Sequence, residues 1–129
     1  DGLPIYAECG GLLYLCGRYE VGNKIYKLAD VVPANTRMTD RLKALGYTEA
    51  RPLDKNFSSH NIRGHEFHYS LTECDRDAKF AYEMLRGKGI QNGLDGLIEH
   101  NTLAGYMHSH PATFPVEKFI EKCREYKRR

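Results

Sequence analysis

At 129 residues the chain is about one domain long, and its 41% hydrophobic and 28% charged content is ordinary for a globular fold and argues against disorder. Nineteen Lys and Arg against 17 Asp and Glu leave a formal charge of +2, too little for a nucleic-acid binder driven by counterion release. The longest apolar stretch, around Gly10 to Leu15, falls far short of the roughly 20 residues that cross a bilayer, and no signal or transit segment is visible.

The chain opens at Asp1 without a Met and enters an apolar run within three residues, so a piece of a longer protein is expected. Leu3 to Glu8 reads as a short buried strand, followed at once by Cys9-Gly10-Gly11 and by Leu12, Leu13 and Leu15 at helical spacing. The helix is expected to stop near Gly17. Tyr26 to Val32 and Leu45 to Leu53 alternate well enough for half-buried strands. After the polar Asn56 to Asn61 loop, Ile62 to Leu71 reads as a strand rich in His and aromatics. Ala78 to Leu85 fits helix or strand, and Arg86 to Gly89 closes it as a turn. Gly96 to Glu99 and Leu103 to His108 suit the two arms of a hairpin. Val116, Phe119, Ile120 and Cys123 follow i, i+3, i+4, i+7 spacing, which predicts an amphipathic helix after Pro115. Its basic end, Lys122 to Arg129, reads as a solvated terminus where cations suit the helix dipole. The mixture of strands and helices predicts an α/β layered fold.

Four cysteines, Cys9, Cys16, Cys74 and Cys123, form no C-x-x-C pair and no dense framework, so neither a zinc ribbon nor a disulfide scaffold is expected. The expected setting is the reducing cytoplasm, where a cysteine is either a small buried hydrophobe or a reactive thiolate. Cys9 sits where a strand must turn sharply into a helix between Ala7, Gly10 and Gly11, the layout of a nucleophile elbow with Cys for Ser. A helix N-terminus is expected to lower the pKa of such a thiol, and the Gly10 N–H is placed to donate to an oxyanion. A buried structural Cys beside a glycine turn is the alternative.

A Cys nucleophile needs a base, and six histidines are available: His60, His65, His68, His100, His108 and His110. His108 and His110 flank Ser109 on one predicted strand, which places both on one face. They suit a general base or a zinc pair; each histidine also fits a plain surface or hydrogen-bonded role. His65 and His68 face opposite ways on another strand, and Glu66 between them does not make a zincin pattern.

Three segments, Pro4 to Leu15 (PIYAECGGLLYL), Gly64 to Ser70 (GHEFHYS) and Gly105 to His110 (GYMHSH), resemble in order and spacing three motifs of the cobyrinic acid a,c-diamide synthase family, which includes the Ni-sirohydrochlorin a,c-diamide synthases. The resemblance implies that residues 1–129 are the C-terminal part of a class I glutamine amidotransferase domain, with the C-terminal half of its flavodoxin-like sheet. It implies a ligase that takes glutamine as nitrogen donor and amidates tetrapyrrole carboxylates. ATP, Mg2+ and the tetrapyrrole would bind a preceding domain, and a homo-oligomer is a further expectation; neither nucleic acid, nor a membrane, nor a metal of this chain's own is implied.

Residue by residue, Cys9 resembles the nucleophile and His108 the histidine that activates it. Many class I amidotransferases place a Glu two residues beyond that histidine; here the position is His110, which leaves Glu66 or a dyad. Gly10, His68, Tyr69 and Ser70 match the glutamine-binding positions, and a second oxyanion donor would precede Asp1. Leu13, where many relatives have Gln, suits the cobyrinate branch, whereas Pro111 replaces the usual aromatic after the second histidine. Cobyric acid synthase is the nearest alternative within the resemblance. A catalytically silent domain binding metal through His108 and His110 is the alternative outside it.

Overall fold

The computed structural model describes residues 2–129; Asp1, the first residue of the expected domain, lies outside the described residues. Strand β1 (Ile5–Glu8) runs into helix α1 (Gly10–Leu15) with Cys9 between them. There follow β2 (Arg18–Val21), β3 (Lys24–Lys27), β4 (Ala34–Arg37), β5 (Ala44–Pro52), β6 (Ile62–His68) and β7 (Leu71–Cys74). Then come β8 (Lys79–Arg86), β9 (Leu94–Glu99), β10 (Thr102–Gly105), β11 (His108–Ser109) and helix α2 (Val116–Lys127).

Seven strands form one sheet in the order β1-β10-β9-β8-β5-β6-β11, and four form a second, β3-β2-β4-β7. The class is mixed α/β as expected, weighted toward strands. Among the described residues, only β1 and β10 of the larger sheet pair in parallel, from Ile5 opposite Thr102 to Glu8 opposite Gly105. Tyr106 and Met107 alone separate β10 from β11, so one stretch of chain pairs first with β9 and β1 and then with β6. The sheet order thereby returns toward its own start, and this closure brings the end of β1 to β6.

A strand that changes partner has backbone N–H groups without a ladder acceptor, and burying them unpaired is costly. Asp95 of β9 resolves this: its two carboxylate oxygens accept the Tyr106 and Met107 N–H groups, each at 3.0 Å. Gly64 permits the second half of the closure, because a Cβ there would run into the His108 carbonyl.

Two apolar clusters support the sheets. One joins Ala7, Leu12, Leu15, Cys16, Val32, Leu97, Ala104 and Tyr106 beneath α1; the other joins Ala50, Ile62, Ala81, Tyr82 and Met107. Along β6 the alternation is clean, with Ile62, Glu66 and His68 buried and Arg63, His65 and Phe67 exposed.

Several expectations are corrected. The predicted Tyr26 to Val32 strand ends at Lys27, because the N–H groups of Ala29, Asp30, Val31 and Val32 bond instead to carbonyls of Tyr14, Leu15 and Cys16, satisfying the carboxyl end of α1. The Ile62 to Leu71 strand divides after His68, and Leu71 begins β7 in the other sheet. Ala78 to Leu85 is strand, paired with β5 and β9. The second hairpin arm ends at Gly105, and His108 belongs to β11 on β6. Helix α2 forms as predicted, but Val116 and Ile120 of its apolar stripe are exposed and none of its residues is fully buried.

Candidate active site

Cys9 occupies a backbone conformation that L-residues rarely adopt, with φ 50°. The turn is pinned on both sides, since Cys9 N–H donates to the Gly105 carbonyl at 2.7 Å and the Cys9 carbonyl accepts from Leu13 N–H at 3.1 Å. Small neighbours are required: a Cβ on Gly11 would lie 2.9 Å from that of Ala7. Around Gly10 the space is open, with nothing within 4 Å of where a Cβ would stand. The Cys9 thiol donates to the Phe67 carbonyl of β6 at 3.6 Å.

His108 meets the same strand through the β6–β11 ladder. It stands opposite His65 across the β6–β11 rung, with ring centroids 4.8 Å apart. The closure therefore sets thiol and imidazole against positions two residues apart on β6. His110 does not share the strand with His108, because β11 ends at Ser109 and His110 enters a turn. There its Nδ1 accepts the Ala112 N–H at 3.1 Å and its carbonyl accepts from Thr113 and Phe114.

Glu66 lies on the buried face of β6, away from His65. Its carboxylate accepts the Lys88 N–H at 2.5 Å and the Gly89 N–H at 3.2 Å, and stands 3.4 Å from His68 Nε2. Burial opposes the charge, but the bonds from His68, Lys88 and Gly89 outweigh it and hold the carboxyl below its usual range. His68 in turn stacks on Tyr106, centroids 3.6 Å apart and planes 11° from parallel, while the Tyr106 hydroxyl lies 2.9 Å from Ser70 Oγ and 2.7 Å from Thr72 Oγ1. His68 and Ser70 are thus buried in a polar network beneath the segment that leads to His108. Tyr69 is exposed and meets Phe67 edge-on.

The cysteines sort by burial. Cys16 is fully buried and its thiol is pushed up to about 12; burial raises Cys74 to about 11. The expected lowering at Cys9 is corrected. Its half-burial raises the thiol, the Gly10 N–H bond offsets only part of this, and the charges of Asp95 and Glu8 add to the rise. A thiol raised in this way favours its protonated form.

Sequence reading missed two carboxylates, Asp95 and Glu8. Asp95 is completely buried inside an apolar strand, and Glu8 Oε2 accepts the Ser109 N–H at 2.7 Å and the Tyr6 hydroxyl at 2.6 Å. A lone acid within an apolar run was the available signal, because such a charge is buried only with partners.

A cleft of about 630 Å³ lies between β1, α2 and the 53–57 loop and is lined by Tyr6, Phe57, Phe114 and Phe119; neither Cys9 nor His108 lines it. Among the described residues no group of three or more His, Cys, Asp or Glu is placed to hold a metal ion, and no helix is long and apolar enough to cross a membrane.

Residues 1–115 match the model of the CobB/CobQ-like glutamine amidotransferase domain, and the chain belongs to that family. It is 40% identical over 125 residues to a cobyrinate a,c-diamide synthase of Halobacterium salinarum, covering 94% of this chain and 28% of the relative. The corresponding enzyme of Methanosphaera stadtmanae is 43% identical over 123 residues, covering 89% of this chain and 26% of the relative. That of Haloarcula marismortui is 42% identical over 125 residues, covering 93% and 28%. The chain thus spans little more than a quarter of these relatives' length.

Proposed function

We propose that residues 1–129 form the glutaminase part of an ATP-dependent a,c-diamide synthase, with Cys9 as nucleophile and His108 as its base. The observation that carries the reading is the Cys9 elbow, whose thiol meets β6 two residues from the strand position that His108 faces. His108 takes the Cys9 proton as sulfur attacks the glutamine carboxamide carbon, forming the S–C bond. The Gly10 N–H donates to the developing oxyanion in the open space beside it. As the C–N bond breaks, the proton passes from His108 to the leaving nitrogen and ammonia departs. Water then hydrolyses the thioester to glutamate and restores the thiol. His110 is a lesser contributor, and Tyr69 and Gly10 are the exposed positions nearest to binding glutamine. His68, Ser70 and Glu66 support Tyr106 from below.

In the whole synthase the ammonia amidates a tetrapyrrole carboxylate, of cobyrinate or Ni-sirohydrochlorin, activated with ATP and Mg2+ by a part of the protein outside these residues. A cytoplasmic setting and a homo-oligomer complete the proposal. The test is Cys9→Ser in the full-length synthase, which should abolish glutamine-dependent amidation and spare amidation driven by added ammonia. Equal loss with both nitrogen donors would overturn the assignment.

A further inference from the structure

Strand β1 ends one residue before the thiol, and its pairing is with β10; β11, which carries His108, pairs with β6. Among the described residues no ladder joins β1 to β11. The direct link between them is made by side chains: Glu8 Oε2 accepts the Ser109 N–H at 2.7 Å and the Tyr6 hydroxyl at 2.6 Å, and that hydroxyl lies 2.9 Å from Ser109 Oγ. Burial, followed by the bond to Glu8, pushes the Tyr6 phenol up, so it remains a donor. Ser109 is the residue after His108, and Glu8 is the residue before Cys9.

We propose that Glu8 is the positioning carboxylate of this site, bracing the His108 strand against the nucleophile elbow in place of an acid downstream of the histidine. The proposal rests on the reading of Cys9 as nucleophile. Glu8 acts through the backbone: it fixes where β11 stands relative to Cys9, and the His108 imidazole is carried with it. Both of its bonds fall on one oxygen, so an amide oxygen in that place would accept both, whereas a methyl group would accept neither. A base displaced by about 1 Å costs on the order of 10²-fold in rate.

The experiment is steady-state glutamine hydrolysis by the full-length synthase carrying Cys9→Ser, Glu8→Ala or Glu8→Gln, with kcat and KM separated and with melting temperatures. Cys9→Ser reports on the underlying reading alone: retained hydrolysis would remove the nucleophile assignment whatever Glu8 does. With that assignment intact, Glu8→Ala should lower kcat about 10²-fold with KM within a few-fold of the parent, and Glu8→Gln should restore most of the loss. Glu8→Ala should also regain rate toward high pH, where the thiol ionises without its base. An unchanged kcat in Glu8→Ala would overturn the proposal. So would a Glu8→Gln variant as poor as Glu8→Ala, or a kcat loss that merely follows a fall in melting temperature.

Discussion

The Cys9 thiol rests 3.6 Å from the Phe67 carbonyl oxygen, although β1 and β6 are far apart in the strand order of their sheet. The contact exists because the 102–109 stretch changes partner from β9 and β1 to β6, folding the far edge of the sheet back onto the elbow. A half-buried thiol facing a carbonyl and two nearby carboxylates resists ionisation. The rate of Cys9 alkylation by iodoacetamide should therefore rise with a midpoint above the ordinary cysteine value of about 8.5. A midpoint below that value would contradict this account of the electrostatics.

His108→Ala should slow glutamine hydrolysis by roughly 10²–10⁴-fold, the contribution of a general base. His110→Ala should do less, since its ring nitrogen serves the Ala112 N–H in the turn. Single-turnover measurement of thioester formation compares the two; a larger loss in His110→Ala would exchange their roles.

Burial pushes the Asp95 carboxyl up to about 6 against the N–H bonds it accepts, whereas in the unfolded chain it titrates near about 3.9. Between these values the native state holds a proton that the unfolded state has released, so Asp95 makes stability fall as pH rises through this window. Asp95→Asn should flatten that slope of melting temperature against pH while lowering stability, since an amide cannot accept both N–H groups. An unchanged slope from pH 4 to 6 would refute the assignment.

Glu66 acts with the opposite sign. Its carboxyl is held below the usual range, so its contribution is present above the unfolded value of about 4.3 and is lost as pH falls. Glu66→Leu leaves the Lys88 and Gly89 N–H groups without their acceptor, at about 1–3 kcal/mol for each orphaned donor. Urea unfolding at pH 7 measures the loss; a change below 0.5 kcal/mol, roughly that of a neutral surface substitution, would contradict it.

Leu45, Tyr47 and Phe67 are 69%, 76% and 51% exposed on one face of β5 and β6. An apolar face of this kind drives association. The 129-residue chain on its own should self-associate in light scattering, and Tyr47→Lys with Leu45→Lys should reduce the effect. A monodisperse monomer at high concentration would count against it.

Local order was legible in the residues themselves. The run from Leu3 to Leu15 encodes a strand, a tight turn and a helix through spacing and glycines alone; the Gly96–Glu99 arm is marked off by its glycines, β6 is legible as a run rich in His and aromatics, and α2 announces itself by period. Such patterns depend only on near neighbours along the chain. Where strands pair is another matter: nothing in Thr102 to Ser109 says that the segment changes partners, and Tyr26 to Val32 alternates like a strand, yet its Ala29 to Val32 N–H groups go to the end of α1. Burial likewise decided the chemistry of single groups. An acid before a cysteine, an acid in an apolar strand and a thiol at a helix start are ambiguous in sequence. Glu8 became a brace, Asp95 became the acceptor for a strand changing partners and Cys9 became a thiol that resists ionisation. Glu8 finds its N–H donor 101 residues along the chain at Ser109, Asp95 finds its donors 11 and 12 residues on at Tyr106 and Met107, and only the closed sheet brings these groups together.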